Sequence, residues 1–122
     1  MQWLLHGNVT SAAGEALVRH EHRVHRVEEL GEAPDSPREL LRAAQTKQWD
    51  LVTTDASLIH EIYEQKIWFN RAVVFLQLEG GDVEQDDAID RLFERYKRLT
   101  AGRLYTVTES RVKVRQLPSR QG

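Results

Sequence analysis

Trp49-Asp50-Leu51-Val52-Thr53-Thr54-Asp55-Ala56-Ser57-Leu58-Ile59 is the stretch on which the reading of the fold turns. A short β-branched apolar run stops in threonines and an aspartate, then passes into helical spacing. In an α/β protein that junction opens into the crevice at the carboxyl edge of the sheet, where ligands bind. Asp55 is the residue there best suited to hold a metal or a substrate. Its other reading is an N-cap, the carboxylate accepting from the free N–H groups of the next helix.

Upstream, Ser36-Pro37-Arg38-Glu39 is the clearest helix start: serine at the cap, proline at the first helical position, glutamate as in a capping box. The helix runs from Arg38 to about Lys47 and turns Leu40, Leu41 and Ala44 inward. Before it stand a short strand Trp3-Leu4-Leu5, ended by His6-Gly7-Asn8, and a helix from Asn8 to about His20. A half-covered strand Arg23–Val27 and an acidic loop from Glu28 to Pro34 complete this half. Asn8 is expected to cap the first helix. Downstream, a helix from Ala56 to Gln65 is expected to bury Leu58, Ile59 and Ile62. Ala72–Leu78 is the most apolar run and reads as a central strand covered on both faces. Glu79-Gly80-Gly81-Asp82 breaks it, and a helix follows from about Glu84 to Leu99. Two alternating strands, 103–108 and 111–115, meet at Glu109-Ser110.

Strands alternating with helices predict a three-layer α/β/α domain, with right-handed crossovers and a parallel central sheet of about four strands. A C-terminal β-hairpin extends the sheet. Residues 1–117 form the single domain and residues 118–122 a frayed tail. At 122 residues the chain has room for one core. The formal charge of -2 supplies no global field for nucleic acid or an anionic membrane. With no cysteine, disulfides and thiolate zinc sites are excluded, and a reducing cytoplasm fits. Neither a signal peptide nor an apolar run of ~20 residues is present, so a membrane partner is not expected.

The order of these phrases resembles a PIN-like family of short prokaryotic proteins, relatives of the ribonuclease toxins of toxin–antitoxin pairs. The corresponding stretches are Leu4-Leu5-His6-Gly7-Asn8, Ser36-Pro37-Arg38-Glu39, Val52-Thr53-Thr54-Asp55-Ala56-Ser57-Leu58, Val73–Leu78 and Arg103–Arg115. The resemblance implies a PIN-like domain and hydrolysis of single-stranded RNA, with Mg²⁺ or Mn²⁺ held by carboxylates at the strand ends. It also implies an antitoxin-like protein partner. The sequence departs from the pattern at four acidic positions, which hold His6, Gly7, Pro37 and Ser57. Only Asn8 and Asp55 stand where the pattern asks for them.

The candidate site is therefore Asp55 as the catalytic residue, with His6, Asn8, Thr54 and Ser57 around it and Asp55 with Asp35 as metal ligands. Glu28, Glu29 and Glu39 are the available stand-ins. Oxygen-seeking ions rarely choose imidazole, so the expected function is a degenerate nuclease retained for binding, with no cofactor required. The alternative is a Mg²⁺- or Mn²⁺-dependent endoribonuclease with a rearranged acidic site. A receiver-like domain is a third reading, and His6-Gly7-Asn8 lacks the acid pair that one needs. His20 and His22 read as solvated and His25 as part of a half-exposed strand. The basic terminal strands read either as a phosphate-tracking surface or as a charged edge. Trp49, Tyr63, Trp68 and Phe69 read either as core or as a self-association patch, and a homodimer through apolar helical surface or the Trp68-Phe69 region is expected.

Overall fold

A computed structural model describes residues 1–119; of the expected tail, residues 120–122 lie outside the described residues. Five parallel strands, β1 (Gln2–His6), β2 (Arg23–Arg26), β3 (Asp50–Thr53), β4 (Val73–Leu76) and β5 (Arg103–Val107), form the sheet. A sixth, β6 (Val112–Gln116), runs antiparallel beside β5. The order β2-β1-β3-β4-β5-β6 places β1 and β3 side by side. Successive side chains alternate between the two faces. Trp3, Leu5, Val52, Val74, Leu76, Tyr105 and Val107 meet α1 (Ser11–Arg19) and α4 (Asp82–Arg95) on one face. Leu4, Leu51, Val73, Phe75 and Leu104 meet α2 (Pro37–Thr46) and α3 (Ala56–Glu64) on the other. Among the described residues, no helix is long and apolar enough to cross a membrane.

One crossover departs from expectation. α1 carries the chain from β1 to β2, while α2 and α3 carry it the opposite way across the opposite face, so these three connections share a hand. α4 moves the chain in the direction of α3 but over the face of α1. Its connection therefore has the opposite hand, against the strong preference for right-handed crossovers. The reason lies in coverage: α2 and α3 already fill one face, and α1 alone would leave Val74, Tyr105 and Val107 bare. Phe93 of α4 instead packs against that core, and Arg19 of α1 pairs with Asp86 and Asp90 of α4.

Several boundaries also move. Thr10, not Asn8, caps α1, its side chain accepting from Ala13 N. Gln77 is exposed and Leu78 half-buried, because β4 ends at Leu76 rather than running to Leu78. α4 stops at Arg95, and the acidic loop contains a 3-10 turn, Val27–Leu30. Phe69 and Trp49 are core, leaving Trp68 as the only exposed ring of the expected Trp68-Phe69 patch.

Three helices end alike, and none ends on glycine. Glu21, Gln48 and Lys66 have φ of 67°, 61° and 52°. The following N–H closes back on the third-last helical carbonyl: His22 on Leu17, Trp49 on Ala44 and Ile67 on Ile62. These are Schellman endings built on side chains that resist the left-handed conformation. That strain is ~1–2 kcal/mol per residue, against roughly 0.5–1 kcal/mol of added chain entropy for glycine. Glu21→Gly, Gln48→Gly and Lys66→Gly are each expected to stabilise the domain by about 0.5–1 kcal/mol in urea unfolding.

His22 lies against the core rather than in solvent. Its Nδ1 accepts from Trp3 Nε1 at 3.2 Å and its ring packs on Phe93, with centroids 4.7 Å apart. Burial pushes its pKa down to about 4. The unfolded chain takes up this proton near 6.5, the folded chain only near 4, so stability is full above pH 6.5 and falls as the pH drops through that window. The ring is half-buried, and solvent screening holds the loss to roughly 1–2 kcal/mol. His22→Gln, which keeps an acceptor for Trp3, is expected to flatten the stability profile between those limits.

Candidate functional site

The sheet reverses its winding between β1 and β3, where α1 and α3 leave for opposite faces; a crevice opens at such a switch point. Thr53, fully buried, holds it together. Its Oγ1 accepts from Asp55 N at 3.0 Å and lies 2.9 Å from His6 Nδ1. A buried hydroxyl hydrogen needs an acceptor, so it goes to Nδ1, and this assigns the ring proton of His6 to Nε2. Burial lowers the pKa of His6 against the opposing pull of Asp55, so the ring is neutral at pH 7.

Asp55 is the N-cap of α3. One oxygen, Oδ1, accepts from Ser57 Oγ at 2.6 Å, Ser57 N at 2.9 Å and Leu58 N at 3.4 Å. The Ser57 hydroxyl, then the backbone donors, hold its carboxyl below the usual range. The N-cap reading of Asp55 is thus realised, and the residue also lines a cleft. Oδ1 caps the helix, and Oδ2 takes no hydrogen bond among the described residues.

The residues named from the sequence fall into two clefts. His6, Asp35, Asp55 and Ser57 line one of about 290 Å³, with Val27, Pro37, Leu40 and Leu58 as apolar wall. Asn8 and Thr54 line another, with Gln85 and the Gly80-Gly81 turn. Thr54 Oγ1 accepts from Asn8 N at 2.7 Å. Glu29 and Glu39 reach neither cleft: Glu29 accepts from Arg26 N and pairs with His25, and Glu39 accepts from Asp35 N. Glu28 lines neither. Glu61 of α3, unnamed in the sequence reading, does line the first cleft. Its signal was its place four residues after Ser57, on the same helical face.

At Gly7 the backbone itself disfavours a side chain. Its φ is +75°, and a Cβ there would stand 2.8 Å from Thr54 Oγ1. Gly7→Ala is expected to cost about 1–3 kcal/mol through backbone strain and displacement of Thr54, read by urea unfolding.

A pair of magnesium ions does not fit this donor set. Among the described residues, no three of His, Asp and Glu come together closely enough to hold a metal. His6 is a neutral nitrogen donor, and Asp55 spends one oxygen on its helix. The arrangement offers a hydrogen-bond donor at His6 Nε2 beside carboxylates, set in a partly apolar cleft. No family model, curated protein or solved structure matches the chain.

Proposed function

We propose that this chain is a PIN-like domain whose nuclease centre has lost its metal-binding acids and which is kept for binding, of a toxin–antitoxin-like partner or of RNA. The observation that carries this reading is the state of Asp55. The one strand-end carboxylate of the pattern is committed through Oδ1 to capping α3, and its neighbour at the end of β1 is the neutral His6. Losing anionic ligands removes the charge a divalent cation needs. The strand order 2-1-3-4-5 is shared with receivers, but β1 here ends in His6-Gly7-Asn8 without an acid pair.

Mn²⁺ and Mg²⁺ titrations by calorimetry, run beside cleavage of single-stranded RNA, test this reading. The expected result is neither metal-binding heat nor cleavage, with Asp55→Asn indistinguishable from the parent toward RNA. One observation favours a second reading: Asp35, Asp55 and Glu61 share one cleft. Mn²⁺-dependent cleavage abolished by Asp55→Asn would replace the decayed site with a rearranged ribonuclease in that cleft.

A further inference from the structure

The sheet has two edges, and they are finished differently. At β2, the Glu29 carboxylate turns back and accepts from Arg26 N at 2.8 Å, covering part of that edge. At β6 the register with β5 fixes which groups face outward. Thr108 N donates to Arg111 O and Leu117 N to Gly102 O, so residues 111, 113, 115 and 117 spend their backbone groups on β5. Val112, Val114 and Gln116 point theirs away from the sheet. Gln116 O accepts from Tyr63 Oη at 2.8 Å, but the N–H and C=O of Val112 and Val114 have no strand beyond them among the described residues.

We propose that this edge is a docking site for an extended, acidic segment of a partner protein, taken up as an added strand beside β6. Side-chain chemistry selects the partner. Lys113 and Arg115 share one face of β6 and make no ion pair among the described residues. Arg115 sits over Tyr63, its Cζ 3.8 Å from the ring centroid, so its guanidinium is already positioned. On the other face Val112 is half-buried and Val114 is 38 % exposed. An incoming strand that alternates acidic and β-branched residues satisfies both faces.

Two other occupants fit less well. A second copy pairing antiparallel about Val114 would set Lys113 against Arg115, with like charges directly opposed. The phosphates of a nucleic acid offer only acceptors, whereas Val112 and Val114 present carbonyls in regular alternation with N–H groups, the spacing of a partner strand. Charges on an edge also guard against aggregation, but that role needs repulsion alone and calls for no partner. The site lies three strands from β3 and stands whether or not the cleft cuts RNA.

The test is backbone hydrogen exchange on the full chain with a short capped peptide of alternating glutamate and valine. Binding is expected to slow exchange at Val112 and Val114 by about tenfold or more, and to weaken with salt. An alternating lysine–valine peptide should do nothing. Val114→Pro removes an N–H that β5 does not use, so the fold should persist while peptide protection is lost. Lys113→Glu with Arg115→Glu is expected to reverse the preference between the two peptides, and it carries the test even if the proline variant misfolds. Absence of protection by the acidic peptide, or protection that survives Val114→Pro in a folded protein, overturns the proposal. So does binding of an oligouridylate, in place of the peptide, at the same residues and unaffected by Val114→Pro; the surface would then track phosphates.

Discussion

His6→Asp combined with Ser57→Asp is expected to turn an indifferent cleft into one whose stability depends on Mn²⁺. Both substitutions add a carboxylate beside Asp55, and neither disturbs Gly7, whose left-handed backbone disfavours any side chain. The first replaces a neutral ring with an anion. The second removes the hydroxyl that donates to Asp55 Oδ1 at 2.6 Å and sets an acid in the first turn of α3, which the helix dipole favours. Without metal, three carboxylates at one crevice repel, and the variant should melt below the parent. With Mn²⁺ at ~100 times its dissociation constant, binding adds about 2.7 kcal/mol to the folded state, a rise of several degrees in Tm. The parent should show no comparable rise. A double variant equally insensitive to Mn²⁺ would mean that the crevice cannot gather ligands even when the acids are supplied. The idea of a decayed metal centre would then fail with it.

That design depends on residues whose places were only partly legible in the sequence. The junction after β3 was readable, since a β-branched run ending in a capping aspartate signals a strand, a turn and a helix together. The gathering of His6, Asp35, Asp55 and Ser57 followed from the alternation of strands and helices, which sends the loops after parallel strands to one edge of the sheet. The separation of Asn8 and Thr54 did not: a one-residue step takes Thr54 to the other side of the sheet, and Asn8 parts from His6 at the left-handed turn of Gly7. Helix ends at Glu21, Gln48 and Lys66 gave no glycine to read. The opposite-handed α4 crossover was invisible for a different reason: apolar periodicity shows that a helix has a buried face, but not which side of the sheet receives it. Nothing local marks Asp50 as buried, because its partners Arg71 and Ala72 lie 21 and 22 residues further along the chain.

Asp50→Ala is expected to be among the most damaging single substitutions in the chain, although it lies at the edge opposite the crevice. Asp50 is 1 % exposed. Its Oδ1 accepts from Ala72 N at 2.8 Å, and its Oδ2 from the Arg71 guanidinium at 3.2 Å. Burial raises its pKa; the Ala72 N–H and then Arg71 work against that rise and keep the carboxylate tied to the start of β4. Truncation leaves the Ala72 donor buried without an acceptor. It also strips the charge partner from Arg71, whose buried Nε already has none among the described residues. Breaking a buried pair from one side costs about 3–5 kcal/mol, and the partial exposure of Arg71 sets this loss toward the lower end. That is a large share of the ~5–15 kcal/mol that holds a domain together. Urea unfolding should show the midpoint falling with little change in slope. Asp55→Ala, at the far end of the same strand, removes only a solvent-facing cap and should cost about 1 kcal/mol. Replacing both partners, Asp50→Leu with Arg71→Met, should recover only part of the loss. It removes the stranded charge but still gives the Ala72 N–H nothing to donate to. Equal costs for Asp50→Ala and Asp55→Ala would show that the Asp50–Arg71 pair contributes no more than a half-exposed helix cap.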